Sequence, residues 1–281
     1  MNPVDGDTDI RDVRNQLLLT WYSENGRDLP WRTSTDPYRV LVSEVMSHQT
    51  QIGRVVPAYL AFIERFPSVD HLAVAPLRDV MEVWSGLGYN NRARRLHETA
   101  RRVSSEGWPE TLEGLLALPG VGPYTAHAVA SFAMGARVPA VDTNLKRVLS
   151  RWYGEELSGE TLKLAAESTL ADDAATWNQA MMDLGSAVCT PRNPACGRCA
   201  VASYCAGPDV YAPPRPQPRF EGSVRQVRGA IVRELVHGPG GLAHLRDVSG
   251  AGDARLEAAL GGLIDDEIVV EIEDGTFRLA D

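Results

Sequence analysis

The sequence has almost no lysine, no long apolar run, and no cysteine outside one short segment. Of its 28 basic residues only Lys146 and Lys163 are lysines, so amine chemistry has just two candidates. No apolar stretch approaches the roughly 20 residues that a transmembrane helix needs. The first residues, MNPVDGDTDI, are acidic where a signal peptide would be basic and then apolar. These absences predict a cytoplasmic protein.

Excess positive charge is also lacking, because the formal net charge is −9 at pH 7. This balance excludes binding to nucleic acid through bulk charge, although a local basic face can bind DNA within an acidic chain. The 44% hydrophobic and 23% charged residues are typical of a globular protein. A length of 281 residues favours one large unit with a small appendage.

Apolar residues recur at helical spacing from Asp9 to about Asp183, and no convincing strand interrupts them. One predicted helix follows Asp36-Pro37, and another runs from Leu145 to Trp152. Residues 208–219, PDVYAPPRPQPR, are proline-rich and predict an extended linker. The sequence therefore predicts a helical body that ends at a linker.

Three further helices are predicted beyond the linker, over Val224–His237, Leu242–Val248 and Ala254–Asp265. A β-hairpin with an Asp274-Gly275 turn closes the chain. This order indicates a winged-helix-like module. A small interaction module is an equal alternative, because the segment is too acidic for an obvious DNA reader.

The four cysteines follow the spacing C-x6-C-x2-C-x5-C. Four thiols so close together in a cytosolic chain predict a metal or cluster site rather than two disulfides. A [4Fe-4S] cluster is favoured and zinc is the alternative, because structural zinc sites usually come as paired short knuckles and only one CxxC is present. The predicted ligands are Cys189, Cys196, Cys199 and Cys205.

Residues 118–126, LPGVGPYTA, place Gly120 and Gly122 between two predicted helices. Glycines let the backbone approach a ligand closely, and the start of the following helix offers unpaired N–H groups to an anion. The segment suits a DNA phosphate, and an ordinary tight turn is the alternative.

Two carboxylates stand out. Glu44 falls at the edge of an apolar stripe, where a charge is costly, and partial burial would raise its pKa enough for it to hold a proton near neutral pH. Asp142 opens the helix of Leu145–Trp152 and predicts an N-cap. Capping and catalysis are compatible roles for such a residue.

Several motifs resemble one family in the correct order. LPGVG followed by VDTNLKRVL resembles the helix-hairpin-helix and Gly/Pro-Asp signature of the endonuclease III superfamily of DNA glycosylases. Further segments resemble its MutY-type adenine glycosylase branch, namely GRDLPWR (26–32), SEVMSHQTQ (43–51), GLGYNNRAR (86–94) and NQAMMDLG (178–185). The resemblance covers residues 9 to about 207.

The resemblance implies an all-α, two-lobed helix-hairpin-helix glycosylase fold with a [4Fe-4S] loop, plus the small α+β winged-helix-like domain. The implied division is a glycosylase domain over 1–207, a linker over 208–222 and the last domain over 223–281. Within the first domain, a six-helix lobe would cover about 30–140, and a cluster lobe 1–29 and 141–207. The implied partner is double-stranded DNA with a mispair or damaged base, bound by a monomer.

The resemblance also implies roles for the candidate residues. Glu44 would protonate the adenine and then help to activate water, while Asp142 would stabilise the oxocarbenium-like sugar. Tyr124 and Asn144 match further active-site positions of the branch. Other matched positions bind substrate or DNA, with Gln49 and Tyr89 inserting into the duplex and the remainder lining the adenine pocket: Arg27, Trp31 and Gln179.

Endonuclease III-type lyases carry a lysine where this chain has Tyr124, and that amine forms a Schiff base with the sugar. Base excision without strand cleavage is therefore predicted, with a weak lyase activity of Lys146 left open. Arg92, Arg94 and Arg95 are candidates to hold phosphates.

The chain departs from the branch at Ser47 and His48, where leucine and glutamine are usual. If the helix continued through Gln51, His48 would share a face with Glu44 and could tune its pKa or touch the extruded base, with a surface histidine as the alternative. The Nudix-like domain that recognises 8-oxoguanine in most MutY-type enzymes is replaced by the apparent winged helix.

The favoured function is removal of adenine opposite 8-oxoguanine or guanine. Excision of thymine or uracil opposite guanine is a rival within the class. A non-catalytic iron-sulfur regulator is the alternative from another class.

Overall fold

The structure, a computed structural model, describes residues 3–212, 217–273 and 275–281, with side chains described from Asp9 onward. Asp274 of the predicted turn lies outside the described residues. Before the linker, the described chain forms α-helices and two short 3-10 turns but no strand, as predicted. No helix in the described ranges is long and apolar enough to cross a membrane.

The α-helices that precede the linker differ widely in length. They are α1 (Pro3–Asn25), α2 (Pro37–Ser47), α3 (Ile52–Arg65), α4 (Val69–Val74), α5 (Leu77–Trp84), α6 (Asn91–Glu106), α7 (Leu112–Leu116), α8 (Pro123–Met134), α9 (Thr143–Tyr153), α10 (Gly159–Thr169) and α11 (Ala174–Ala187). The 3-10 turns, Cys196–Arg198 and Ala202–Tyr204, lie in the cysteine segment.

The C-terminal module has the predicted mixture of helices and a hairpin. Its elements are α12 (Val224–Leu235), β1 (Gly240–Gly241), α13 (Leu242–Ser249), α14 (Asp253–Asp265), β2 (Val269–Glu273) and β3 (Thr276–Leu279). The strands form an antiparallel sheet in the order β1-β3-β2. Only β1 was not predicted, because two glycines carry no alternating pattern. The expected fold class is confirmed.

The chain forms two compact units, each built from two segments. One unit comprises Met1–Val40 and Gly122–Arg215, and the other comprises Leu41–Val121 and Pro216–Asp281. The domain boundaries inferred from the sequence stay a prediction. We refer to these units as the first and the second unit.

The core of the first unit is formed by α1, α9, α10 and α11. Trp177 of α11 is fully buried there, and its indole N–H donates to the Oδ1 of Asn15 at 3.0 Å. Asn15 in turn donates to the carbonyl oxygen of Thr169 at 2.9 Å. These bonds satisfy the buried polar groups that join α1, α10 and α11, as a packed interior requires.

The core of the second unit is centred on α3, α5 and α6, against which α4 and α12 also pack. Phe62 and Trp84 are fully buried and meet edge to face with ring centroids 6.1 Å apart. In the sheet, Phe277 and Leu279 point into the interior of the module. The winged-helix-like module is therefore part of this unit through the contact of α12 with α5.

Candidate active site

The four cysteines lie in one segment that packs on the core of the first unit. None of them forms a disulfide, and three are partly buried against that core, namely Cys189, Cys199 and Cys205. Arg151 donates from Nη1 to the Sγ of Cys189 at 3.2 Å, which suits a sulfur that carries negative charge. Free thiols beside a buried cation fit an anionic metal-thiolate group.

Burial raises the pKa values of Cys199 and Cys205, and the negative charges of the neighbouring thiolates raise them further. Metal binding must therefore displace the thiol protons. Across the described residues, no three His, Cys, Asp or Glu side chains form a group that could hold a single metal ion. The four thiols nonetheless act on one another electrostatically, as thiolates around one cluster would.

A chain of hydrogen bonds joins the cysteine segment to Asp142. Arg147 donates from Nε to the carbonyl oxygen of Cys189 at 2.7 Å and from Nη2 to the Oδ1 of Asn144 at 2.8 Å. Asn144 donates to the Oδ2 of Asp142 at 2.6 Å. Arg147 is 2% exposed, so these bonds are shielded from water. The ring of Tyr211 covers the pair of guanidinium groups, with its centroid 5.6 Å from each of Arg147 and Arg151.

Asp142 is the N-cap of α9, as its position predicted. Its Oδ1 accepts from the backbone N–H of Leu145 at 2.7 Å, and its backbone is extended at the helix start. Burial raises the pKa of Asp142, while the N–H of Leu145, the side chain of Asn144 and the charge of Arg147 act in the opposite direction. The carboxyl group is thus oriented at both oxygens and partly shielded from water.

Arg27 is held by a buried aspartate that the sequence analysis missed. Asp183 is 1% exposed and accepts from the backbone N–H and the Nε of Arg27 at 2.8 and 2.7 Å. Arg32 completes the site with bonds from Nη1 and Nη2 at 2.7 and 2.8 Å. Burial would raise the pKa of Asp183, but these bonds and charges together hold it below its ordinary value. An acidic residue inside the apolar run AMMDLG was the available signal.

The first unit also carries three more of the residues predicted to form the site. Gln179 is on α11, and its Oε1 accepts from the Tyr22 hydroxyl at 2.7 Å. Trp31 is 7% exposed and lies in the turn that carries Arg32. Tyr124 is partly buried in the first turn of α8.

Glu44 lies on α2 in the second unit and is 8% exposed. The condition that α2 continues through Gln51 is not met, because the helix ends at Ser47 and Gln49 adopts a left-handed φ of 53°. His48 therefore does not share a helical face with Glu44. Burial and the charge of Arg92 lower the pKa of His48, which lines a cavity of about 250 Å³ with residues of α6 and the glycine hairpin.

Arg92 makes structural hydrogen bonds within the second unit, and its contact with a phosphate stays a prediction. Its Nη1 donates to the carbonyl oxygens of Val45, Met46 and His48 at 2.7, 3.0 and 2.7 Å. These carbonyl oxygens lie at and just beyond the end of α2, where the pattern of hydrogen bonds within the helix stops. Its Nη2 donates to the carbonyl oxygen of Gly88 at 3.1 Å. Arg92 therefore ties the turn after α2 to the loop before α6.

These two turns carry Gln49 and Tyr89, the side chains predicted to enter DNA. Both residues adopt positive φ, 53° and 50°, which is uncommon away from glycine. Tyr89 is 40% exposed and its ring lies 5.4 Å from the guanidinium of Arg92. Such backbone strain clusters at functional sites. Gln49 and Tyr89 are therefore candidates to open the DNA duplex, and we call these two residues the wedge.

The glycine hairpin uses its two glycines differently. Gly120 has φ of 71°, and a Cβ there would lie 2.7 Å from the Cβ of Arg95. Gly122 is extended with φ of −87° and caps α8, which begins with Pro123. Only Gly120 is therefore required by the fold, while Gly122 leaves open space at the start of α8.

Comparison with known proteins identifies the class. Residues 42–169 match the family described as HhH-GPD superfamily base excision DNA repair protein, and residues 189–205 match the iron-sulfur binding domain of endonuclease III. The solved structure of a thermostable thymine-DNA glycosylase superposes with a TM-score of 0.68 at 30% identity, covering 72% of this chain and 98% of that one. The fold and the cysteine segment thus define a helix-hairpin-helix DNA glycosylase with a [4Fe-4S] cluster.

Sequence comparison narrows this class. The adenine DNA glycosylase of Mycolicibacterium smegmatis is 40% identical, with 94% of each chain covered. That of Mycobacterium tuberculosis (strain ATCC 25618 / H37Rv) is 38% identical, with 97% of this chain and 95% of the relative covered. The chain belongs to the adenine DNA glycosylase family. It is a DNA-binding enzyme of base excision repair, so family membership favours the enzyme over the non-catalytic regulator.

Proposed function

We propose that the protein removes adenine mispaired with 8-oxoguanine or guanine from double-stranded DNA by hydrolysing its N-glycosidic bond. The proposal is carried by the environment of Asp142, whose two carboxyl oxygens are bound by Leu145 and Asn144. The two mycobacterial relatives named adenine DNA glycosylase support the choice of base. We infer that the enzyme is a monomer and is cytoplasmic.

In the proposed reaction, Glu44 donates a proton to N7 of the adenine. The C1′–N9 bond then breaks with its electron pair passing to the purine, which leaves as neutral adenine. The cationic sugar is stabilised by the carboxylate of Asp142, and Glu44 takes a proton from the water whose oxygen bonds to C1′. Such a pair of carboxyl groups serves glycoside hydrolysis in general.

The environment of Asp142 suits the stabilisation of the cationic sugar. A carboxylate that is fixed in direction and partly shielded from water stabilises a developing positive charge more strongly than one in water. Hydrogen bonds at both oxygens prevent its rotation away from the sugar. When bound, the [4Fe-4S] cluster holds the cysteine segment in shape, and exposed Arg192 and Arg198 of that segment are candidates for phosphate contacts.

The lysines of the chain support excision without strand cleavage. Lys146 and Lys163 lie in ion pairs, with Nζ 3.6 Å from Glu156 and 3.9 Å from Glu160. Tyr124 has no amine with which to form a Schiff base. We therefore propose that the lyase activity is weak or absent.

The test is a single-turnover assay on duplexes that differ in one base pair. Adenine is placed opposite 8-oxoguanine, guanine or cytosine, and each reaction is read with and without alkali. We expect alkali-dependent cleavage opposite 8-oxoguanine and guanine, and its loss in Glu44→Gln and Asp142→Asn with DNA binding retained. The exposed variant Glu64→Gln is the control. Adenine left intact opposite both purines would refute the proposal.

A second candidate is excision of thymine or uracil opposite guanine. It is favoured by the 30% identity to the thymine-DNA glycosylase, of which the chain covers 98%. The same assay includes duplexes with thymine or uracil opposite guanine. Release of thymine with adenine left intact would select this candidate.

A further inference from the structure

The linker residue Gln217 is hydrogen-bonded to both members of the wedge. Its Nε2 donates to the Oε1 of Gln49 at 2.9 Å, and the Tyr89 hydroxyl donates to its Oε1 at 3.0 Å. Arg225 donates from Nη1 to the same Oε1 at 2.7 Å and to the Tyr89 hydroxyl at 3.2 Å. Two residues from beyond the glycosylase segment thus meet the wedge at its exposed polar ends.

Arg225 is fixed in place by its own module. It lies in the first turn of α12 and donates from Nη2 to the carbonyl oxygen of Pro218 at 2.8 Å, which ties the linker to the helix. Ser223 caps the same helix by accepting from the backbone N–H of Gln226. The linker around Gln217 is therefore held on one side by Arg225 of α12 and on the other side by the wedge.

The acidic residues of the module attach it to α6. Asp266 accepts from the Nδ2 of Asn91 at 2.9 Å, and it also pairs with Arg228. Glu267 pairs with Arg94 of α6. The acidic residues that argued against a DNA-reading role thus attach the module to α6. Gln217 and Arg225 lie beside the wedge.

We propose that Gln217 and Arg225 read the base that is left unpaired opposite the extruded nucleotide. The inference rests on the proposed function, in which the wedge enters the duplex where a base has left the stack. Side chains bonded to the tips of the wedge then lie at the level of the remaining base, whose pairing edge has lost its partner.

The chemistry of the pair fits a guanine-type edge. Guanine and 8-oxoguanine share the O6 acceptor and the N1–H donor. A guanidinium has only donors and suits O6, whereas an amide oxygen accepts from N1–H. Cytosine presents the reverse order, with an amino donor where guanine has O6 and the acceptor N3 where guanine has N1–H, so side chains placed for guanine meet a group of the wrong kind at both positions. The bonds of Gln217 to the wedge in the free protein are exchanged for bonds to the base.

The test compares Gln217→Ala and Arg225→Ala with the parent protein. Arg233→Ala, an exposed arginine at the far end of α12, is the matched control. Single-turnover excision is measured for adenine opposite guanine, 8-oxoguanine, cytosine and an abasic analogue. We expect each variant to lose roughly ten-fold of the preference for the two purines, and to change the rate opposite the abasic analogue by less than the rates opposite guanine and 8-oxoguanine.

A second readout does not require base release. Equilibrium binding is measured for duplexes with an abasic analogue at the target position and guanine or cytosine opposite it. A guanine preference that falls in both variants supports the inference even if adenine is never released, an outcome that overturns only the proposed function. Gln217→Glu, which keeps the acceptor, should retain more of the preference than Gln217→Ala.

Three outcomes would overturn the inference. The first is a parent protein without any preference for the opposite base in either assay. The second is a preference that the variants leave intact. The third is a uniform change across all duplexes, in which faster excision would identify a latch on the wedge and slower excision a purely structural contact.

Discussion

Arg147 donates to the side-chain oxygen of Asn144 from inside the first unit, so the cysteine segment and Asp142 are two ends of one hydrogen-bonded chain. The buried guanidinium of Arg147 bonds the carbonyl oxygen of Cys189 and the side chain of Asn144, so it orients the cysteine segment and the partner of Asp142 together. Damage to the cluster loop should therefore reach the carboxylate that faces the sugar in the proposed reaction.

Replacing Arg147 tests this chain. We expect Arg147→Gln to lower the free energy of unfolding by about 3 kcal/mol, because several buried hydrogen-bond acceptors lose a charged donor. Iron content and single-turnover excision should fall together. Arg11→Ala, which removes a partly exposed arginine paired with Asp12, is the control. Full excision in an Arg147→Gln protein that has lost its iron would show that the chain transmits nothing.

In the proposed reaction, the ionisation of Asp142 should set the acid limb of the pH–rate profile. Burial raises its pKa, so the ionised form is lost at a higher pH than for an ordinary aspartate as the solution is acidified. Asn144→Ala removes a hydrogen bond that favours the ionised form, and it should move the acid limb to still higher pH. Single-turnover rates between pH 4 and pH 8 measure the shift, and an acid limb that stays in place or moves down would contradict this assignment.

Asp183 contributes stability that is lost in acid. Its pKa in the folded protein is lowered, so its contribution is present above the ordinary value near 4 and is lost as the pH falls through the folded value. Asp183→Asn should cost roughly 3 kcal/mol or more, as expected when a buried ion pair loses one partner, and should flatten the loss of stability in acid. Chemical denaturation at several pH values measures both effects.

The control for this variant is Asp79→Asn, which removes an ion pair with exposed Arg65. Such a pair should contribute less than about 1 kcal/mol. Equal losses for the two variants would mean that burial does not set the strength of the Asp183 site.

The two hairpin glycines should differ in tolerance. Gly120→Ala places a side chain at a left-handed φ and 2.7 Å from the Cβ of Arg95, so we expect a loss of about 1–3 kcal/mol. Gly122→Ala meets nothing within 4 Å at an ordinary φ and should leave the free energy of unfolding nearly unchanged. Thermal unfolding of both variants checks this difference, and an equal loss would contradict it.

Much of the fold followed from the sequence because periodicity reports directly on which face of a helix is buried. The helices of the C-terminal module were predicted to within about two residues, and Asp142 was predicted to be an N-cap. Caps and amphipathic faces are local properties. The family resemblance added the cluster and the class of enzyme.

The missed features depend on contacts between distant parts of the chain. The end of α2 at Ser47 follows from the turn at Gln49, where Arg92 collects carbonyl oxygens from more than forty residues away in the sequence. Asp183 pairs with Arg27 and Arg32, which lie far from it in the sequence, and Gln217 bonds to the wedge from the linker. No periodic pattern encodes such partners.

Tyr211 bears on where the protein can be cut. It follows the last cysteine, yet its ring shields the paired guanidinium groups of Arg147 and Arg151, and Arg151 also donates to the carbonyl oxygen of Pro208 at 3.2 Å. A truncation that stopped at Cys205 would remove the ring of Tyr211 and the carbonyl oxygen of Pro208, both of which contact the arginines that bond the cysteine segment. An expression fragment meant to retain iron must therefore extend past Tyr211, into the stretch that composition alone marks as a spacer.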